Sequence, residues 1–101
     1  MLSRAVHEDP FSTATLGLYH LRKNHIQRGE ALYREAITLA AERRTKDMIR
    51  QKMNLELGRS FLKHGDTTSA RKFLEKAAQQ GKHHLQSLQK QATILLKTLR
   101  K

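Results

Sequence analysis

The chain has 101 residues, enough for one domain with a modest core. With no Cys, no Trp and only two Tyr and three Phe, the core must come from Leu, Ile, Met and Ala, a palette suited to packed helices, and disulfides, thiolate nucleophiles and cysteine-held zinc are excluded. The net charge of +11 is unevenly placed: residues 1–41 carry five Lys/Arg against four Asp/Glu, residues 42–101 carry 15 against five, so a field that attracts acidic protein segments, nucleic acid or anionic surfaces belongs to the C-terminal half.

Asp9-Pro10 reads as a helix start, with Asp capping free amides and Pro in the first turn, which leaves residues 1–9 as an N-terminal tail. Leu16, Leu18, Tyr19 and Leu21 mark a first helix that stops near Asn24, a residue that tolerates the left-handed conformation. Ile26, Tyr33, Ala36, Ile37 and Ala40 recur at three- and four-residue steps and predict a second helix of about 17 residues, fading at Glu42–Arg44. Thr45 is the expected cap of a third helix, with Asp47 in its first turn and Ile49, Met53, Leu57 and Phe61 as its stripe.

Gly65 ends that helix and Asp66 caps a fourth, whose apolar side is Ala70, Phe73, Leu74, Ala77 and Ala78; Gly81 is the next stop. Leu85, Leu88, Ala92, Leu95 and Leu99 then give a fifth, amphipathic helix with one stripe to bury. No segment supports a strand.

Two stretches share offsets measured from a mid-helix glycine, Gly17 in the first and Gly58 in the third helix. Each follows a leucine, Leu16 or Leu57, and each precedes by seven a helix-ending residue, Asn24 or Gly65. Twelve residues on stands a tiny side chain, Gly29 or Ala70; sixteen on a bulky one, Tyr33 or Leu74; nineteen on Ala36 or Ala77. A glycine inside a helix costs roughly 1 kcal/mol relative to alanine, so its place there points to a second helix crossing close by.

Leu57-Gly58, Phe61, Gly65-Asp66, Ala70, Leu74 and Ala77, with the matching first copy, resemble the tetratricopeptide repeat. The pattern departs from the family at both ends: Thr13 and Asn54 replace its Trp, no Pro closes either copy, and the glycines stand 41 residues apart where the family repeats every 34 or so, which predicts helices about two turns longer in total. The resemblance implies an all-α fold of about five helices, a right-handed α-α superhelix of helix hairpins. Repeat one spans about 10–44, repeat two about 45–81, and a capping helix about 83–100, all within a domain of residues 10–101.

In that family the first helix of each repeat lines a concave groove. The resemblance therefore implies a binding face made of Leu18, Arg22, Lys52, Leu55, Arg59, Leu62 and Lys63, with Lys97 on the last helix. Its cations would grip carboxylates and its leucines an apolar side chain. The expected partner is another protein or peptide, acidic or amphipathic, and no cofactor is implied. The asparagines by which some family members hold a chaperone's terminal carboxylate are replaced by Leu18 and Arg59, so that role is not expected.

Two alternatives stay open. The C-terminal basic residues suit phosphate contacts, although residues 82–101 contain no aromatic side chain to stack on a base. The fifth helix either closes the stack or pairs with a second copy, and exposure of Ile94 beside Leu95 would favour pairing. Six histidines, His83-His84 with His64 or His20 among them, lack a helical ligand spacing, and Ser60, Ser69 and Ser87 lack a nucleophile motif, so neither a metal site nor an enzyme is expected. No apolar run approaches 18 residues; membrane insertion is not expected, and the default expectation is cytoplasmic.

Overall fold

A computed structural model describes residues 9–79 and 85–99, and every described element is helical: α1 (Pro10–Arg22), α2 (Ile26–Leu39), α3 (Arg43–Lys63), α4 (Thr67–Ala78) and α5 (Gln86–Leu99). The 1–8 tail, Gly81, His83-His84 and the outer limits expected for the last helix lie outside the described residues. α1 packs with α2 and α3 with α4; the two pairs touch through α2–α3 and α1–α3, and α5 rests on α3 and α4.

The two hairpins turn by the same local chemistry. Asn24 and Gly65 hold φ of 69° and 78°, and the amide of the next residue reaches back to a carbonyl five positions earlier, His25 N to His20 O at 2.8 Å and Asp66 N to Phe61 O at 2.9 Å. All three positions of the turn repeat at the 41-residue interval. Asp66 opens α4 by accepting the Ser69 amide at 3.1 Å, as Asp9 opens α1 by accepting the Phe11 amide at 3.0 Å and the Ser12 hydroxyl at 2.7 Å.

These bonds hold both carboxyls below the ordinary aspartate range, for Asp9 through the Ser12 hydroxyl and then the Phe11 amide, for Asp66 through the Ser69 amide and hydroxyl. A depressed carboxyl contributes stability that is complete above its unfolded pKa of about 3.9 and is lost as the pH falls through its lower folded value. Fluorescence- or CD-monitored acid unfolding should therefore show a proton-uptake step below about pH 3.9 that the double variant Asp9→Asn, Asp66→Asn, which keeps the caps, removes. An unchanged acid midpoint in that variant would refute the assignment.

The glycines mark the crossings. A Cβ on Gly17 would stand 3.0 Å from the Gly29 carbonyl oxygen and 3.0 Å from the Tyr33 ring; one on Gly58 would stand 2.5 Å from Leu74 and 3.4 Å from the Ala70 carbonyl oxygen. The tiny residue twelve positions on and the bulky one sixteen on are thus the facing contacts in both hairpins. Around the first crossing Leu21, Tyr33, Ala36, Ile37 and Ala40 meet Ile49, Met53 and Leu57 of α3; around the second Leu55, Ala70, Leu74 and Ala77 meet Leu88 and Ala92 of α5. Phe61 and Phe73 stack at 5.6 Å between them.

Three sequence expectations are corrected. In α1 the inward residues are Thr13, Gly17 and Leu21, whereas Leu16 and Tyr19 point to solvent at 37% and 53% exposure, because the glycine face is the one that meets α2. α2 stops at Leu39 after 14 residues, where Ala40 becomes extended and the Lys46 ammonium takes the Ile37 carbonyl at 2.8 Å, doing the work of a further turn. α3 starts at Arg43 behind Glu42 rather than behind Thr45, and Asp47 lies beyond its first turn, accepting from Arg50 at 3.2 Å. This early start accounts for the long repeat, since α1 begins seven residues before its glycine and α3 fifteen.

Candidate functional site

Between α1, α3 and the entry to α5 lies an open cavity of about 330 Å³. Phe11, Ala14, Thr15 and Leu18 form one wall, spaced three and four apart so that one face of α1 presents them together. Met48, Ile49 and Lys52 of α3 form the second wall, Leu85 and Leu88 the third, and Tyr33 of α2 lies at the base. Phe11, 56% exposed, stands at the rim as a large apolar group that the fold leaves in water.

Polarity is concentrated on one side. Lys52 reaches Glu56 at 2.7 Å, and Arg59, one turn on, reaches the same carboxylate at 3.2 Å. The Glu56 side chain is 5% exposed, so it needs both cations to offset its lost hydration, and both are held by it. Arg59 also donates to the side-chain amide oxygen Oε1 of Gln91 on α5, closing α3 against α5. Burial, and then the Glu56 charge, push the Tyr33 phenol well above its ordinary range against the opposing effect of Arg22, so Tyr33 stays neutral at the cavity floor.

Of the eight residues expected to form a basic face, Lys52 and Arg59 meet on the Glu56 carboxylate and the others are dispersed. Leu18 and Lys52 line the cavity. Leu55 is 0% exposed: α5 packs over that side of α3, and Leu55 joins the core with Leu88 and Ala92. Leu62 is partly buried against the same core. Arg59 shares the Glu56 carboxylate with Lys52 and turns to α5, and Lys63 is eleven residues beyond Lys52, roughly 16 Å along the axis. Arg22 and Lys63 are exposed helix-end residues; Lys97, also exposed, is nine residues past Leu88 and so roughly 13 Å from the cavity wall.

Lys52, the cation at the groove, is already engaged, which makes the surface apolar with one polar flank rather than basic. Phe11, Ala14, Met48 and Leu85 were missed by sequence reasoning, although the Phe11-Ala14-Leu18 spacing and the Lys52-Glu56-Arg59 run carry the signal. Asn54 and Thr13, at the place of the family's Trp, are both buried, 7% and 2% exposed.

Among the described residues no group of three or more His, Asp or Glu gathers in a way that could hold a metal ion. His20 and His25 face each other at the α1–α2 turn, Nδ1 to Nδ1 at 3.3 Å. No described helix is long and apolar enough to cross a membrane. No protein-family model matches the chain, and neither the curated proteins nor the solved structures contain a match to it.

Proposed function

We propose that the chain is a non-catalytic docking module of tetratricopeptide type, in which two hairpins and a closing helix stack as a right-handed superhelix and an amphipathic segment of a partner protein lies in the α1–α3–α5 groove. The observation that carries this reading is the groove itself, about 330 Å³ with nine carbon-rich or hydroxyl side chains and one lysine, on the side of the hairpins where the first helices meet. Support for the stacking comes from the turns and glycine crossings that recur at one interval. The groove favours a peptide that inserts an aliphatic or aromatic side chain beside Phe11 and Leu18, with a carboxylate set to compete for the Lys52 ammonium; a partner chosen by charge alone is less well suited.

Peptides selected from a random display library against the whole chain supply the probe. Leu18→Asp and Met48→Asp, both at the groove surface, should weaken the selected peptides by about tenfold or more, whereas Arg71→Glu on the exposed side of α4 should leave them unchanged. Equal affinity for all variants would remove the groove from the account.

Self-association through α5 has one observation behind it: Ile94 is 57% exposed beside the partly buried Leu95. Lys90 and Lys97 lie one turn to either side, and their repulsion across a two-fold axis opposes such a pairing. Nucleic acid is disfavoured by the same geometry, since the exposed aromatic rings, Phe11 and Tyr19, are on α1 and not beside the lysines of α5.

A further inference from the structure

The internal repeat lets one half of the molecule report on the other. At the 41-residue interval Ser12, Leu16 and Tyr19 of α1 correspond to Met53, Leu57 and Ser60 of α3. In α3 that face is covered, with Met53 3%, Leu57 0% and Ser60 9% exposed, and the residues that meet it include Tyr33, Ala36, Ile37 and Ala40 of α2, spaced three, four and seven apart. In α1 the same face is open: Ser12 is exposed, and Leu16 and Tyr19 hold large apolar groups in water, with the Lys23 ammonium 5.6 Å above the Tyr19 ring.

The far end of the stack is built differently. The outward positions of α5 are Gln86, Ser87, Lys90, Lys97 and Thr98, with Ile94 alone among them apolar. A polar outer face is what ends a stack of helices in water, and an apolar one continues it. α5 therefore closes its end, and α1 does not close the other.

We propose that the outer face of α1 is a second docking surface, separate from the groove, and that its occupant is an amphipathic helix carrying an aromatic-and-small apolar stripe, seated on α1 as α2 is seated on α3. A second copy of the chain is a poor occupant, because its two stripes of this kind are spent: that of α2 on α3 and that of α4 on α5. The helix belongs to a partner protein. The proposal rests on the stacked-hairpin reading and not on the groove, so the two stand or fall by different residues.

A synthetic peptide of residues 26–40, blocked at both ends, is the probe, titrated to about 1 mM into the uniformly 15N-labelled full chain, a range that resolves weak association. Saturable amide shifts are expected at Ser12, Leu16, Tyr19 and Lys23, with Leu18 and Lys52 at the groove unmoved. Leu16→Lys combined with Tyr19→Glu should raise the Kd about tenfold or more, and both side chains being exposed, its CD spectrum should match the parent. The peptide bearing Ala36→Glu and Ile37→Glu should produce no shifts. Absence of shifts, or shifts confined to the groove, overturns the proposal. So does a doubled mass in light scattering that Leu16→Lys abolishes, since the occupant is then a second copy.

Discussion

Replacing Gly29 with valine is expected to lower the unfolding free energy by about 3 kcal/mol or more, because the crossing of α1 and α2 has no room for a side chain there. A bare Cβ at Gly29 would stand 2.6 Å from two carbons of Leu21 and 2.8 Å from the Gly17 carbonyl oxygen. Leu21 is 2% exposed and cannot swing into solvent, and the carbonyl belongs to α1's own backbone, so the two helices must separate. Separation loosens Tyr33 and Leu21, through which this hairpin also touches α3.

Alanine at Gly29 should be milder. It recovers up to about 1 kcal/mol of helix propensity and loses about 1 to 3 kcal/mol in overpacking, and with Leu21 and the Gly17 carbonyl both fixed the net loss should lie toward the upper end, up to about 2 kcal/mol. Gly58→Ala meets Leu74 at 2.5 Å but finds the Ala70 carbonyl oxygen at 3.4 Å, a contact that the backbone accepts, and should cost less than its counterpart. Gly65→Ala separates collision from conformation: nothing lies within 4 Å of its Cβ, and its φ of 78° alone should cost about 1 kcal/mol. Urea unfolding of the four variants should order them valine at 29, alanine at 29, then alanine at 58 and 65. Wild-type stability for Gly29→Val would show that the hairpins do not cross at the glycines.

The features read correctly from the sequence are those decided within a few residues. Asp9-Pro10, Asn24 and Gly65-Asp66 act through their own φ angles and side-chain oxygens, and no distant contact alters what they do. The paired glycines reached further because one interval, repeated, carries tertiary information: the residue twelve positions on must be small if the helices touch. The start of α3 was misplaced because Glu42, Arg43 and Arg44 have neither a capping bond nor an apolar period, and the helix there is an extension of the buried Ile49-Met53-Leu57 stripe.

The groove failed to be read for a different reason. Each helix taken alone has a different surface from the one it keeps when α5 lies across α3: Leu55 belongs to a surface until α5 covers it. The basic character was overestimated by counting Lys52 and Arg59 without Glu56, four residues after one and three before the other, where an α-helix must bring all three together. Charge pairing along a helix is legible in sequence; burial by a distant helix is not.

Gln51 is the residue whose importance is least legible in the sequence, and removing its amide is expected to cost about 2 kcal/mol and to release α5 from the body of the protein. The side chain is 7% exposed. Its Nε2 donates to the Ala77 carbonyl at 3.1 Å and to the Leu85 carbonyl at 3.2 Å, and its Oε1 accepts the Leu85 amide at 2.7 Å, so every hydrogen of the nitrogen and one lone pair of the oxygen are spent. Ala77 O is among the carbonyls that the end of α4 leaves without a helical partner, and Leu85 stands immediately before α5 with no side-chain oxygen to serve as a cap.

One amide thus closes the exit of α4 and fixes the entry of α5, whose Leu85 and Leu88 make the third wall of the groove. Gln51→Leu, of similar volume, takes from the Ala77 carbonyl and the Leu85 amide the bonds that Gln51 gives them, each worth about 1 kcal/mol or more, while Leu85 O keeps its bond from the Gln89 amide at 3.0 Å, and part of the loss returns if α5 lifts and lets water in. Hydrogen exchange should then show α5 amides from Gln89 onward losing protection while those of α1 and α2 keep theirs. Gln51→Glu sharpens the test: its carboxylate still accepts from Leu85 N but sets an anionic oxygen against two carbonyls, so its folded pKa rises above the unfolded value. The defect should be full above that raised pKa and shrink as the pH falls through it, when a protonated carboxyl donates to one carbonyl again. Protection of α5 that is the same in Gln51→Leu as in the wild type would mean that its leucines alone hold it in place.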